Sequence, residues 1–243
     1  MTIPARLKTA LTGAALSMGI GCVGVFAPAA LADKPGAAAS TQTVSGDVSE
    51  LAGWVIATKD NRGYPFAIID KQAAEILIFD ADGKLKGRTP ALLGSAVGDH
   101  SAPGVGDREL KDIPAEDRTT PAGRFIAGYG PATGGQRVLW VDYETAISIH
   151  PVATGNRAEK REERLASKTA EDNRITHGCI NVAKAFYDKT VQPTFTKGGV
   201  FYVLPDTVEV HEAFPGYARP NLAFSLVEAY RIATHNPAKG GGR

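Results

Sequence analysis

The chain has 243 residues, with 27 lysines and arginines against 26 aspartates and glutamates, for a formal charge of +1. So even a balance excludes partners held by electrostatics alone, and no nucleic acid or anionic membrane surface is expected to bind. Only two cysteines are present, Cys22 and Cys179, which rules out a disulfide-stapled scaffold.

The first segment reads as an export signal. Arg6 and Lys8 form a short positive start, an apolar Ala/Gly/Val/Leu stretch follows, and Ala30-Leu31-Ala32 supplies the small-x-small cleavage pattern. Residues 1–32 are therefore expected to be a signal peptide, with Asp33 as the new N-terminus in the periplasm or cell wall and no membrane attachment after cleavage. Removing them leaves 211 residues, enough for one domain with a proper core, and a formal charge of −1. Cys22 leaves with the signal, so Cys179 has no partner in the mature chain. A lone thiol in an exported protein points to an intermolecular bridge or to reactivity.

Residues 33–50 are small and polar without apolar periodicity, and they read as a flexible linker. From Leu51 onward, short apolar runs alternate with Gly, Pro, Asp and Asn. Seven of them read as strands, namely YPFAIID, AEILIFD, PALLGSAVG, GRFIAGYG, RVLWVDY, AISIH and GVFYVLP. Asp80-Ala81-Asp82-Gly83 has the composition of a hairpin turn. The spacing predicts a mainly β fold, largely antiparallel, as a mixed β-sandwich or barrel with a few short helices. Helices are expected over Asn156–Lys168, over Asn181–Val191 with Asn181 as its cap, and over Asn221–Thr234. Residues 216–243 would be a helical extension with a frayed Gly-rich tail.

Chemistry gathers in RITHGCINV, Arg174 to Val182. A helix starting near Asn181 would lend Cys179 its positive end and lower the thiol pKa. Gly178 would permit a tight turn, and the amides of Gly178 and Cys179 could face a developing oxyanion. His150, at the end of AISIH, and His177, two residues before Cys179, are candidate bases. His150, His177 and Cys179 could together ligate zinc, but no CxxC or HExxH pairing accompanies them, and no metal or other cofactor is expected.

The stretch Thr176-His177-Gly178-Cys179-Ile180-Asn181 resembles the signature of the L,D-transpeptidase (YkuD-type) catalytic domain. Thr120-Pro121-Ala122-Gly123-Arg124-Phe125 is similar to that family's T-P-x-G-x-F segment, and AIIDKQAAEILIFDADGKL to its opening hairpin. The resemblance spans roughly residues 64–204 and implies a YkuD-like catalytic domain over 51–215. It implies Cys179 as nucleophile, His150 as base with the Pro151 carbonyl orienting its ring, and His177 and Gly178 beside the nucleophile. Asn181, Thr176 and Arg174 are then the expected substrate-binding residues. It further implies peptidoglycan stem peptides as substrates, a Cys thioester as intermediate, and acylation by carbapenem-type inhibitors. Carboxypeptidase or D-amino-acid exchange chemistry, or a noncatalytic wall-binding scaffold on the same fold, are the alternatives. The His150–Thr176 spacer, residues 151–175, is longer than is usual in the family. It reads as a charged insertion over about 152–175, either a solvated surface helix or a lid whose Arg157, Arg161, Arg164 or Arg174 meets a substrate carboxylate.

Overall fold

The computed structural model describes residues 44–132 and 137–217. The expected signal peptide, residues 33–43 of the expected linker and the expected helix Asn221–Thr234 lie outside the described residues. The strands are β1 (Phe66–Asp70), β2 (Glu75–Phe79), β3 (Leu85–Pro90), β4 (Leu93–Gly94) and β5 (Gly123–Pro131). After them come β6 (Arg137–Asp142), β7 (Ile147–Pro151), β8 (Arg174–Thr176), β9 (Ile180–Val182) and β10 (Gly199–Val203). Eight form one sheet in the order β3-β2-β1-β10-β5-β6-β7-β9, while β4 and β8 pair separately. The fold is mainly β with a large mixed sheet and few short helices, as expected. Two pairings in the large sheet, β1 with β10 and β7 with β9, are parallel.

Strands β1, β2 and β10 are near-continuous apolar runs because both of their faces are covered. On one face lies helix α1 (Gly46–Thr58), whose Val48, Leu51, Ala52 and Val55 pack with Phe66, Ile68, Leu77 and Tyr202, all fully buried. Each large side chain so buried contributes about 1.5–3 kcal/mol. Ser45 caps α1 by accepting from the Val48 amide, and its hydroxyl donates to Asp70 of β1 at 2.7 Å, so one residue both starts the helix and docks it. This corrects the linker reading at its end: residues 46–50 are the first turns of a packed helix, fixed by a Ser cap that composition alone does not reveal.

The other face shares a single core with β5, β6, β7 and β9. Strand β5 makes that sharing possible. Its residues 123–127 pair with β10, and residues 128–131 pair with β6. The turn between β2 and β3 has the expected chemistry, with the Asp80 carboxylate accepting from the amides of Asp82 and Lys84 and Gly83 at φ 82°.

Two helical expectations are corrected. Asn156–Lys168 is not one helix but a 3₁₀ turn (Arg157–Glu159) followed by α2 (Arg161–Leu165). Lys160 adopts φ 49° between them, and Arg164 ties the fold-back by donating to the carbonyls of Glu159 and Asp172. Nor does Asn181 cap a helix. It lies in β9, its amide and carbonyl paired with Leu92, and the helical segment begins only at α3 (Lys184–Phe186). Sheet pairing has overridden a local helix signal there.

Directly after β1, Lys71 is fully buried. Its ammonium donates to Asp99 at 2.8 Å and to the carbonyls of Gly98 and Thr120, with Asp206 at 3.3 Å. Asp99 also accepts from the amides of Asp206, Thr207 and Val208 and from the Thr207 hydroxyl. Burial works to raise its pKa, but Lys71 and these donors outweigh burial and hold the carboxyl well below the usual carboxylate range. Asp99 therefore contributes stability that is present above the ordinary aspartate pKa and is lost only as pH falls through its depressed folded value. Replacing Lys71 by Met would leave the buried Asp99 carboxylate without its cation, while Asp206 keeps Arg174, and the expected cost is about 3–5 kcal/mol, read as a lowered urea midpoint at neutral pH. A midpoint unchanged from wild type would show that the network does not hold the loops.

Candidate active site

Strand β7 is the scaffold. Ile147 and Ile149 face the core, and the period-two alternation puts Ser148 and His150 together on the other face. Strand β9 runs parallel beside it in a register that sets His150 next to Asn181. The loop from β8 to β9 then carries Cys179 back over β7.

Gly178 makes that loop possible. Its φ is 123°, and a side chain there would meet Ile147 Cδ1 at 2.6 Å and the Thr119 carbonyl oxygen at 2.7 Å. Thr120 donates to the Gly178 carbonyl at 2.7 Å, and Thr176 donates to the Cys179 carbonyl at 2.7 Å while accepting from the Gly178 amide at 3.1 Å. Thr176 is thus a buried brace of the Cys179 loop. The Gly178 amide, expected to face an oxyanion, is likewise committed.

Cys179 is a half-buried free thiol. Its sulfur lies 3.6 Å from the Ser148 hydroxyl and 3.6 Å from the Ala146 carbonyl, to which the thiol form donates. Burial works to raise its pKa. The hydrogen bond and charge of His150, with the Ser148 amide and hydroxyl, more than offset this, so the thiol sits below its ordinary value. No helix terminus takes part. The expected source of acidity was wrong in origin, and strand β7 supplies what the helix was expected to.

His150 is held at both nitrogens. Nδ1 lies 2.8 Å from the Pro151 carbonyl oxygen, and Nε2 lies 3.0 Å from Asn181 Nδ2. Burial works to lower the pKa of His150, but its hydrogen bond to Cys179, the thiolate charge and the Pro151 carbonyl raise it above the ordinary value, against opposition from Arg161. His177 stands apart from this arrangement. Its pKa is lowered by partial burial and by Arg118 and Arg161, with Glu159 opposing. The structure thus couples Cys179 to His150.

Arg174 does not point to a substrate. Its guanidinium donates to both carboxylate oxygens of Asp206, at 2.6 and 3.1 Å, and to the Lys71 carbonyl, joining the buried Lys71 network. Asn181 is fully buried and bridges His150 to Arg161 of the insertion. Ser148 was not foreseen, though its place two residues before His150 on one strand was the signal that could have found it. Among the described residues, no group of three or more His, Cys, Asp or Glu is placed to hold a metal ion, and no helix is long and apolar enough to cross a membrane.

No protein-family model matches the sequence, and no curated protein does. Among solved structures the chain is similar to the helical cell shape determining protein Pgp2 from Campylobacter jejuni, at 15% identity and a TM-score of 0.42 over 76% of this chain and 61% of that one. A point variant of the same protein gives 14% and 0.42 over 78% and 62%. The LD transpeptidase LdtMt1 in complex with imipenem gives 14% and 0.34 over 58% of each chain. The chain thus spans about three-fifths of the length of these proteins. At these scores the likeness carries no functional argument, and the site is read from its own geometry.

The coupling of Cys179 to His150 has a direct consequence. Iodoacetamide is expected to alkylate Cys179 at a pH below that needed for an ordinary thiol, followed by intact mass. In His150→Ala, burial is left largely unopposed, so the profile should move to higher pH and alkylation at pH 7 should slow by about tenfold or more. An unmoved profile would show that His150 does not govern the thiol.

Proposed function

We propose that the chain is an exported cysteine acyltransferase acting on peptidoglycan stem peptides, with a YkuD-like, L,D-transpeptidase type of chemistry. The observation that carries this reading is the thiol of Cys179 coupled to a histidine whose Nδ1 is fixed by the Pro151 carbonyl. An imidazole held in this way has Nε2 as its basic site, which takes up a proton once the Asn181 amide, 3.0 Å from it, gives way. The THGCIN stretch that bears the thiol adds the sequence resemblance.

In the proposed cycle His150 takes the Cys179 proton. The thiolate then attacks the carbonyl between the L-centre of a diamino acid and a terminal D-alanine, forming a C–S bond. Oxyanion stabilisation falls to donors other than the Gly178 amide, and the Cys179 amide is the one left of the expected pair. As the tetrahedral centre collapses, the C–N bond breaks and protonated His150 returns its proton to the departing amine, which leaves a thioester. The side-chain amine of a second stem peptide then attacks the thioester carbonyl, His150 accepts the proton it releases, and the thiol is regenerated with a cross-link formed. Water as acceptor would make the same site a carboxypeptidase. No cofactor enters any step.

Incubating the purified chain with a tetrapeptide stem should release D-alanine and yield a dimeric product, and Cys179→Ser should lower both by at least about a thousandfold. A carbapenem should add its mass to the wild type and not to the variant, since its strained carbonyl would trap the same thiolate. D-Alanine release by Cys179→Ser at the wild-type rate would overturn the mechanism, and release without dimer would assign the site to hydrolysis.

A further inference from the structure

The donor and acceptor inventory around His150 can be solved without seeing a proton. A guanidinium can only donate, and Arg161 Nη1 lies 2.7 Å from one terminal atom of the Asn181 amide, which must therefore be oxygen. The other terminal atom is then the NH2 group, which can only donate, and it lies 3.0 Å from His150 Nε2. That nitrogen must present its lone pair. On the other side of the ring, Nδ1 faces the Pro151 carbonyl, which can only accept, so Nδ1 carries the proton. The chain Arg161–Asn181–His150–Pro151 is satisfied by one arrangement only, a neutral imidazole protonated on Nδ1.

We infer that Arg161, contributed by the charged insertion, is a positioning residue that latches His150 in its basic form by fixing which way the Asn181 amide faces. This deepens the acyl-transfer reading and rests on it for its purpose, although the protonation it describes stands without any substrate. If Nε2 takes up a proton while Asn181 keeps its orientation, two donors face each other across 3.0 Å. Relief requires the amide to turn over, and Arg161 opposes that turn because it would then meet NH2 in place of an oxygen.

The placement suits the role. Arg161 opens α2 just after the φ 49° residue Lys160, its side chain is 13% exposed, and Glu159 braces it through Nε. The groups acting on the His150 ring are Cys179 from the nucleophile loop, the Pro151 carbonyl of its own strand, Asn181 from β9 and Arg161 with Glu159 behind it. Of the charged groups only Arg161 opposes protonation of the ring, by its positive charge as well as by orientation.

The test is a pH titration of the purified chain labelled with 15N at histidine, reading both ring nitrogens of His150, with the resonances assigned by their absence in His150→Gln. Above its titration midpoint, wild-type His150 should be protonated on Nδ1 and bare on Nε2. In Arg161→Met the midpoint should rise, because the amide is free to turn its oxygen towards a protonated Nε2, while the neutral ring stays protonated on Nδ1 against the Pro151 carbonyl. Arg161→Lys, which keeps a cationic donor, should bring the midpoint part of the way back. Both variants retain an unbranched stem, so packing of the insertion is preserved. A wild-type neutral ring protonated on Nε2, or an Arg161→Met midpoint identical to wild type, would overturn the latch. Neither readout involves turnover, so loss of the acyl-transfer reading would appear separately, as a Cys179 that releases no D-alanine.

Discussion

The parallel pairing of β7 with β9 is the constraint on which the site depends. It sets His150 beside Asn181, and it forces the intervening chain to return across β7 with the thiol over Ser148. A shift of one residue in this register would turn His150 into the core and Ile149 out of it, at a cost of several buried aliphatic groups. The hydrophobic pattern that specifies the sheet therefore also specifies which face carries His150. Gly178 completes the return path, since the space a side chain would need is occupied by the Thr119 carbonyl and Ile147.

A second, quite different device holds the rim. The buried Lys71 joins Asp99 and Asp206, and through Asp206 it reaches Arg174 at the start of β8. Buried ion pairs of this kind add little net stability over a well-packed apolar substitute, but breaking one side of them is costly. Their value here is geometric. Asp99 gathers the amides of residues 206–208, Lys71 gathers the carbonyls of Gly98 and Thr120, and Thr120 in turn donates to the Gly178 carbonyl. A chain of satisfied polar contacts thus runs from the end of β1 to the loop that bears Cys179, which is why an arginine expected to face solvent and substrate is found facing inward.

The fold was legible where apolar runs are bounded by turn residues, as in FAIID, EILIF and GVFYV, because burial on both faces leaves no polar position to disguise the strand. It was illegible where pairing is short and local propensity points elsewhere. INV at 180–182 has only three residues and precedes good helix formers, so nothing local distinguishes Asn181 as a strand residue from Asn181 as a cap. The pairing of His150 with Cys179 could be anticipated from the residue types. The supports could not, because Ser148, the Thr120 brace and the Asn181–Arg161 bridge all join segments far apart in sequence, at |i−j| of 31, 58 and 20. Composition marked the insertion as charged, but six basic and five acidic residues give no sign of which one turns inward.

That one inward arginine sets the balance between two forms of the site. Attraction between a thiolate and an imidazolium in contact amounts to about 4 kcal/mol at an effective dielectric of 20, and burial opposes both charges. Turning the Asn181 amide over would forfeit a charge-assisted hydrogen bond worth about 1.5–3 kcal/mol and would bring the Arg161 charge against an NH2 group. The two quantities are of one size. Without the arginine the pair would lie further towards the ion pair, and a rigid arginine contact moves it towards the neutral form. With its guanidinium shared between Asn181 and Glu159, Arg161 weighs against the ion pair that the lowered thiol and the raised imidazole favour.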